Sequence, residues 1–391
     1  MISKSLFDNT ETAFALKSDS ELERAYFLFK MISMEPLVKI GAAVTKFALH
    51  ARLPVEGLVR STVFDHFCGG INEQDCMPTV EALKSAGVYS VLDFSVEGKD
   101  TQAQFDATME KVIFLTRFAK DNRSMPFSVF KPTGLGRFEI WRKKSADEKL
   151  SDREEAEWEA IVNRYDQICS VASECSISLL IDAEESWMQA AADKLCEQMM
   201  KKYNRDKVVV YNTLQCYRSD RYEYLVACHE RAVENGYKLG FKVVRGAYME
   251  KERERAAEKG YESPICENKL ATDTLYDKAI SYILAHLDTV HLFLGTHNEN
   301  SCYKALLHMQ EHQLPNNEAR IWFGQLYGMS DHISYNLAAL GYNVCKYIPF
   351  GPVKDVMPYL IRRAEENTSV AGQTSRELGL LQKEKKRRGL K

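Results

Sequence analysis

The chain has 391 residues, of which 45% are hydrophobic and 27% are charged, and its formal net charge is −3. These values are ordinary for a soluble globular protein, and so weak a net charge gives no general electrostatic reason to bind nucleic acid or anionic lipid. No apolar run is long enough to cross a bilayer. The first residues include acids and lack an apolar core, so they are typical of neither a signal peptide nor a mitochondrial presequence. We therefore expect a cytoplasmic protein that does not bind nucleic acid.

The ten cysteines are scattered along the chain, and none of them forms a C-x-x-C pair. Several lie inside apolar stretches, such as Cys216 and Cys345. Free buried thiols behave as small apolar side chains, whereas disulfide frameworks and zinc sites show closely spaced cysteines. The pattern predicts reduced, mostly buried thiols in a cytosolic-type compartment.

The first 85 residues contain no convincing strand. Two segments in this part, SELERAYFLFKMIS and EPLVKIGAAVTKFALHAR, place their apolar residues at helical spacing. We predict an N-terminal helical arm over residues 1–85.

After Gly87, short apolar runs rich in β-branched residues recur eight times. Amphipathic segments long enough for a crossover helix separate them, and the runs are continuously apolar, as parallel strands covered by helices are. Eight such units predict an α/β fold, a distorted (β/α)8 TIM-type barrel over residues 86–370. The predicted strands are residues 88–94, 127–132, 176–184, 207–215, 240–248, 291–298, 320–328 and 343–351.

A doubly wound sheet is the alternative fold. Eight units would make that sheet long, and the spacing of a dinucleotide-binding fingerprint is absent; the lone G-x-G in PTGLGRF is typical of a turn. Residues 142–165 are strongly charged, and we expect them to be a helical insertion between strands two and three with a solvated face.

Polar residues that are candidates for a functional site end seven of the eight predicted strands. In a barrel of this type the chemistry takes place at the carboxyl ends of the strands. A single polar residue there is commonly structural, but so complete a ring predicts an active site. Asp93 ends the first strand, with no separate argument for a role. The ring consists of Lys131, Asp182, Gln215, Arg245, Thr296 with His297 and Asn298, Gln325, and Tyr347.

The stretch PYLIRRAEEN follows the last predicted strand. If it is helical, Tyr359, Arg362, Arg363 and Glu366 share one face, because they are three and four positions apart. The face fits a surface helix with ion pairs along it. It also fits a helix that lies over the barrel mouth, where two guanidinium groups bind a carboxylate and Glu366 pairs with a guanidinium or an amine.

These motifs together resemble one enzyme family. PYLIRRAEEN preceded by KYIPFGP, with KVVRGAYMEKERERA, IDAEES, YNTLQCY, THN and FGQLYGM, resembles proline dehydrogenase from about residue 60 to 380, and the monofunctional mitochondrial-type enzymes more than the bifunctional bacterial ones. The resemblance implies a flavin enzyme on a distorted barrel with a final helix over its mouth. Such an enzyme oxidises L-proline to Δ1-pyrroline-5-carboxylate by hydride transfer to FAD, and passes the electrons to a membrane quinone in the first step of proline catabolism.

The same resemblance implies residue roles. It implies catalytic roles for Lys131, Asp182 and Lys242, and leaves the acceptor of the amine proton open between Asp182, Lys131 and water. The implied substrate contacts are Lys131, Asp182, Ala247, Tyr248, Tyr347, Tyr359, Arg362, Arg363 and Glu366. The implied FAD contacts are Gln215, Lys242, Arg245, Gly246, Ala247, Lys269, Thr272, Thr296, His297 and Gln325. Lys269 and Thr272 lie in a loop where the family varies.

Two positions depart from the bacterial pattern. Lys242 stands where many bifunctional members carry arginine, which keeps the charge but loses the planar fork. Met249 stands where that branch has a tryptophan beside the cofactor. A third position, Tyr347, bears on the substrate, since its phenol would crowd a 4-hydroxyl group; we expect proline to be preferred over 4-hydroxyproline.

Two other functions compete with this interpretation. Asp182, Glu184, His297 and Asp273 are candidate ligands of a metal-dependent barrel hydrolase, although the H-x-H expected at its first strand is absent. The third possible function is that of a binding protein whose barrel has no catalytic activity. The sequence gives no indication of an oligomeric state.

The tail, residues 371–391, ends in LQKEKKRRGLK, with six basic residues and one acidic residue. Such a composition is typical of a solvated, disordered end. Because a quinone is lipid-soluble, the alternative is that the basic tail holds the enzyme against anionic lipid at the inner face of the membrane.

Overall fold

The structure is a computed structural model that describes residues 3, 5–34, 57, 60–95, 100–369 and 373–390, without the side chains of residues 61, 362–369 and 373. Eight parallel strands form one sheet in the order β1-β8-β7-β6-β5-β4-β3-β2. Every predicted run overlaps one of them. The strands are β1 (Tyr89–Phe94), β2 (Phe127–Phe130), β3 (Ser178–Ile181), β4 (Val210–Gln215), β5 (Leu239–Val244), β6 (Val290–Gly295), β7 (Ile321–Leu326) and β8 (Val344–Phe350).

The sheet curves into a nearly closed barrel. β1 pairs with β8 over its whole length, from Tyr89 opposite Cys345 to Phe94 opposite Phe350. On the other side of β1, a main-chain hydrogen bond of 2.9 Å from Ser90 to Ser124 links it to the segment before β2. The predicted (β/α)8 barrel is confirmed, and the doubly wound alternative is wrong.

Two apolar layers hold the barrel together. Inside it, Val129, Leu180, Phe293 and Tyr347 belong to one buried cluster. The opposite faces of the strands pack under the helices, in a larger cluster. Because both faces are covered, β4 and β8 are buried along their whole length, which explains the continuously apolar runs.

Helices follow the strands in alternation, with extra helices at both ends of the chain. Those before the barrel are α1 (Thr10–Ala13), α2 (Asp19–Ile32), α3 (Asp65–Phe67) and α4 (Glu73–Ser85). The barrel helices are α5 (Gln102–Lys120), α6 (Phe138–Ser145), α7 (Asp152–Cys175), α8 (Ser186–Tyr203), α9 (Arg221–Asn235), α10 (Met249–Lys259), α11 (Lys269–Ala285), α12 (Glu299–Glu311), α13 (Asp331–Ala339), α14 (Val353–Ser369) and α15 (Gln373–Arg387).

The charged segment 142–165 differs from the expected insertion. Most of it belongs to α7, the long helix that leads into β3. This helix begins with a capping box between Ser151 and Glu154, and it buries Ile161, Tyr165 and Ile168. It is therefore the crossover helix between β2 and β3, and α6 is the additional helix in this connection.

The N-terminal arm is helical where the structure describes it, and no strand lies in the described part of residues 1–85. The predicted helical segment from residue 35 to 52 lies outside the described residues. Helix α2 begins with a capping box between Ser18 and Glu21.

The expectation of a disordered tail is wrong. Residues 373–387 form α15, which packs on the N-terminal arm: Leu380 and Leu381 are buried in one cluster with Leu22 and Phe29 of α2. Several of its basic residues have acidic partners as well. Arg388, just after the helix, contacts Asp19 at 3.0 Å and Glu384 at 2.8 Å. A buried apolar face and partly neutralised charges explain why this basic segment forms a packed helix.

The ten cysteines are all free thiols, nine of them buried and Cys175 half-buried. The prediction of mostly buried thiols is confirmed. Among the helices that the structure describes, none is both long enough and apolar enough to span a membrane.

Candidate active site

A cavity of about 590 Å³ opens at the carboxyl ends of the strands. All eight strands, or the residues directly after them, contribute to its wall. The contributors are Asp93, Lys131, Asp182, Thr213 and Gln215, Lys242 and Arg245, Phe293 and Thr296, Gln325, and Tyr347. The ring of polar strand ends predicted from the sequence is thus assembled around one space.

Lys242 lies at the centre of the polar contacts on one side of this cavity. It is buried on β5, forms a short ion pair with Asp182 after β3, and donates a 3.0 Å hydrogen bond to the phenol oxygen of Tyr347 on β8. Its Nζ is also 4.8 Å from the centre of the Tyr347 ring. Burial raises the pKa of Tyr347 well above its usual range, so the phenol stays protonated. One cation therefore holds a carboxylate and a neutral phenol together.

Lys131 has an acidic partner that the sequence did not indicate. Its Nζ lies 3.5 Å from Asp93 Oδ2, and the hydroxyl of Ser95 donates to the same oxygen at 2.8 Å. Asp93 lines the cavity. Its position at the end of β1 was visible in the sequence, but its pairing depends on β1 and β2 being neighbours in the barrel.

Glu184 holds the loop that carries Lys131. Its carboxylate accepts hydrogen bonds from the Thr133 main-chain N–H at 2.9 Å and from the Thr133 hydroxyl at 2.7 Å. Burial raises the pKa of Glu184 to about 7, and these two hydrogen bonds act against that rise. Thr133 is two residues after Lys131, so a change in Glu184 reaches the cavity through this loop.

Arg245 connects the ends of β5 and β6 to two helices. Its guanidinium donates to Asp273 at 2.7 Å, to Thr296 at 3.0 Å and to Ser301 at 3.1 Å, and it lies 4.3 Å from the centre of the Tyr276 ring. With its donors fixed in this way, the arginine keeps a set orientation at the cavity wall.

Two buried amides face the cavity from β4 and β7. Gln325 donates to the Thr296 carbonyl at 3.1 Å and accepts from Ser334 at 2.9 Å. Gln215 donates to the Glu184 carbonyl at 3.1 Å, but its Oε1 is buried and accepts no hydrogen bond from the residues that the structure describes. A buried acceptor without a donor carries a free-energy cost that a ligand with an N–H or O–H group removes.

The wall beside β6 and β7 includes residues that the sequence did not single out. Glu299, Asn300, His332 and Arg376 line the cavity there, with Asn298 and His297. The Nδ1 atom of His297 and the hydroxyl oxygen of Ser330 are 2.9 Å apart. Arg376 comes from the segment expected to be disordered, so the sequence carried no signal for it.

The structure explains why the motif that follows β5 contains a glycine. Gly246 lines the cavity with Ala247 and Tyr248, and its φ is +134°. A Cβ atom there would lie 2.3 Å from the Tyr217 ring. The backbone geometry and the Tyr217 ring therefore require glycine at this position, independently of any ligand.

Lys269 and Thr272 lie in the first turn of α11 and not in the expected loop, and they differ in their relation to the cavity. Lys269 lines the cavity and pairs with Asp273 at 2.6 Å. Thr272 does not line it; its hydroxyl donates to the Asn268 carbonyl at 3.3 Å. Of the predicted helix residues, Tyr359 on α14 lines the cavity, while the side chains of Arg362, Arg363 and Glu366 lie outside the described residues.

The four candidate metal ligands do not come together. Asp182 pairs with Lys242, Asp273 with Arg245, and Glu184 with Thr133. Within the described residues, no group of three or more histidine, cysteine or acidic side chains is placed to hold a metal ion. The geometry speaks against the metal-dependent hydrolase.

Comparison with known proteins gives one family. The family model described as proline dehydrogenase matches residues 76–376. The carbapenem antibiotics biosynthesis protein CarD of Pectobacterium carotovorum subsp. carotovorum is 37% identical over 85% of this chain and 86% of its own. The mitochondrial proline dehydrogenase 1 of Arabidopsis thaliana is 31% identical over 98% and 85%. The hydroxyproline dehydrogenase of Xenopus laevis is 31% identical over 96% and 88%.

The fold has solved counterparts. The chain is similar to proline utilization A from Bdellovibrio bacteriovorus, inactivated by N-propargylglycine, with a TM-score of 0.70 and 18% sequence identity. This likeness covers 97% of the chain and 41% of that structure, so the chain spans about two fifths of the larger protein.

Proposed function

The chain belongs to the proline dehydrogenase family, and on that premise we propose that it oxidises L-proline to Δ1-pyrroline-5-carboxylate by hydride transfer to FAD, with a quinone as the final electron acceptor. The observation that carries the proposal is the cluster of Lys131, Asp182, Lys242 and Tyr347 in one cavity, because these are the strand-end residues whose roles the family resemblance implies. Tyr359 joins them from α14.

The cavity residues fit a flavin dinucleotide. A volume of about 590 Å³ is in the range of cofactor sites. The Oε1 atom of Gln215, which has no donor among the described residues, suits the N–H of a heteroaromatic ring, and the cationic residues suit phosphates. The residues that would hold FAD are Gln215, Lys242, Arg245, Gly246, Ala247, Lys269, Thr296, His297 and Gln325. When bound, FAD supplies the hydride acceptor, which no side chain can replace.

The chain's own residues bind and orient the substrate in this proposal. On α14, Arg362 and Arg363 hold the carboxylate of proline and Glu366 fixes one of the two guanidinium groups, while Tyr347 and Tyr359 pack against the ring. Two rigid forks on a carboxylate fix orientation as well as adding affinity.

The substrate amine has to lose its proton before the hydride can leave. Asp182 and Lys131 are the candidate side chains for accepting this proton. Both already have ion-pair partners, Asp182 with Lys242 and Lys131 with Asp93. We propose that one of these two polar pairs, or water beside them, takes the proton at the amine nitrogen. The pairing keeps each group at a set place before the substrate arrives.

The quinone gives a reason for contact with the inner face of a membrane. The carboxyl-terminal basic segment is the expected contact, but Arg376, Arg387 and Arg388 already pair with acidic residues. Co-sedimentation with anionic vesicles tests the idea. Equal binding of the full chain and of a chain lacking residues 382–391 would remove the basic segment as the contact.

The purified protein, loaded with FAD, tests the activity. L-Proline added without oxygen should bleach the flavin absorbance, and a soluble quinone should restore it. A preparation that takes up FAD but is not bleached by L-proline would contradict the proposal that L-proline is the substrate. A colourless preparation that cannot be loaded with FAD would support the catalytically silent barrel.

A further inference from the structure

One side of the cavity is built by the end of the chain. Arg376, on α15, lines the cavity although that helix packs on the N-terminal arm. Its neighbours in the wall are Glu299 and Asn300, from the first turn of α12, and His332 from α13.

The guanidinium of Arg376 is held by two acids from different parts of the chain. Its Nε donates to Glu299 at 2.7 Å, and its Nη2 donates to Asp8 at 2.6 Å and to the second Glu299 oxygen at 3.3 Å. Because a guanidinium is planar, these bonds also fix the direction of Nη1. Nη1 makes no hydrogen bond to any residue that the structure describes.

The first turn of α12, which contains Glu299, also contacts other residues of the cavity wall. Glu299 accepts from His332 Nε2 at 3.0 Å, and Ser301, two residues on, accepts from Arg245 at 3.1 Å. Arg376 therefore adjoins the first turn of α12 on one side, while Arg245 adjoins it on the other.

The position within the barrel indicates what this wall would face. It lies beside β6 and β7, across the sheet order from β2 and β3, which carry Lys131 and Asp182. Lys269, His297 and Arg376 bring cationic or protonatable groups to this side, and the carboxylate of Glu299 lies beside Arg376 in the same wall. The pyrophosphate is the strongly anionic part of a flavin dinucleotide, and arginine forks suit phosphate oxygens.

We infer that Arg376 is a binding residue for the phosphate-bearing half of FAD, so that α15 is part of the cofactor site; this rests on the proposed function. The two equilibria are linked reciprocally. A cofactor that contacts Arg376 stabilises the docking of α15, and undocking of α15 lowers the affinity for the cofactor. The two ends of the chain are then coupled to cofactor occupancy through Asp8 and Arg376.

FAD titration of the apoprotein tests the inference. Arg376→Met should raise the Kd for FAD by about tenfold or more, the size expected for losing a charge-assisted hydrogen bond to a ligand. Arg376→Lys should recover part of the loss. Arg387→Met is the matched control, because Arg387 is on the same helix and pairs with Glu384 and Glu11; its Kd should stay near wild type.

A second measurement separates binding from folding. Hydrogen exchange of residues 374–388 should slow when FAD is added to the wild type, and should respond less in Arg376→Met. An unchanged Kd in Arg376→Met, or an equal rise in Arg387→Met, would overturn the inference while leaving the proposed function standing. A wild type that binds no FAD would overturn both.

Discussion

Lys242 on β5 donates a hydrogen bond of 3.0 Å to the phenol of Tyr347 on β8, although the two residues are 105 positions apart in the chain. The same ammonium group pairs with Asp182. Both members of the hydrogen bond are buried, so neither can exchange its partner freely for water. The contact joins three strand ends into one polar cluster.

Removing this cation should damage catalysis more than cofactor binding. In Lys242→Met, Asp182 loses its ion-pair partner and Tyr347 its donor, so kcat/KM for L-proline should fall by at least about tenfold. Lys242→Arg should lose less, because the charge remains. Steady-state kinetics at saturating FAD measure the effect, and a wild-type kcat/KM in Lys242→Met would contradict the role assigned to the lysine.

Tyr347 should decide between proline and its hydroxylated form. The wild type should prefer L-proline over 4-hydroxyproline, and Tyr347→Ser should raise the relative kcat/KM for hydroxyproline by removing the ring that crowds the 4-hydroxyl. Tyr347→Phe keeps the bulk and is the control. Competing-substrate kinetics test this, and a wild type that turns over hydroxyproline at least as efficiently would refute it.

The paired arginines of α14 should act on the substrate alone. Arg362→Met or Arg363→Met should raise the KM for L-proline by about tenfold or more, the cost of one charge-assisted contact to the carboxylate, and leave the flavin bound. Flavin absorbance and steady-state kinetics on one preparation separate the two effects. Loss of flavin from either variant would mean that this helix binds the cofactor instead.

Glu184 should make substrate binding depend on pH near neutrality. Its pKa is about 7, so above pH 7 the ionised carboxylate accepts both Thr133 hydrogen bonds, and below pH 7 the added proton occupies one oxygen. The KM for L-proline should therefore rise as the pH falls from 8 to 6. Glu184→Gln carries no proton to titrate and should lose this step, at a higher KM throughout. A step that persists in the variant would assign the titration to another group.

His66 should lower stability in acid. It is half-buried beside Phe29 and Phe67, with Nε2 3.0 Å from the Gly328 carbonyl oxygen, and removal from water lowers its pKa to about 3. The unfolded chain binds a proton below pH 6.5, whereas the folded chain does not, so stability is full above pH 6.5 and is lost as the pH falls. Between pH 6.5 and 5 the loss from this group is about 2 kcal/mol.

Urea unfolding of the wild type and of His66→Gln at both pH values measures this loss. Between these two pH values, the free energy of unfolding should fall less in His66→Gln than in the wild type, and the difference should be about 2 kcal/mol. His291 has a pKa lowered to about 4 by burial, but it is present in both proteins and cancels in the comparison. Equal losses in the two proteins would contradict the assignment to His66.

The strands and the ring of polar strand ends could be predicted because both depend on the pattern of residues along short segments of the chain. A buried parallel strand reads as a short apolar run, and the carboxyl ends of parallel strands meet at one edge whatever the helices do. Lys131, Asp182 and Tyr347 could therefore be placed together from the strand pattern, whereas Lys242 was added by the family resemblance. The ordered tail was missed because the apolar partners of Leu380 are in α2, at the other end of the chain.

By itself, then, the amino-acid sequence determined the eight-stranded barrel, the free buried thiols and the mouth where the polar residues meet, since each follows from spacing along a strand or helix. Only the tertiary structure decided which polar side chains pair: Asp93 with Lys131 and Arg376 with Asp8, 368 positions away, as ion pairs, and Glu184 with Thr133 through a hydrogen bond. Such pairs depend on how separate elements dock, and docking is set by the packing of whole apolar faces rather than by any local pattern.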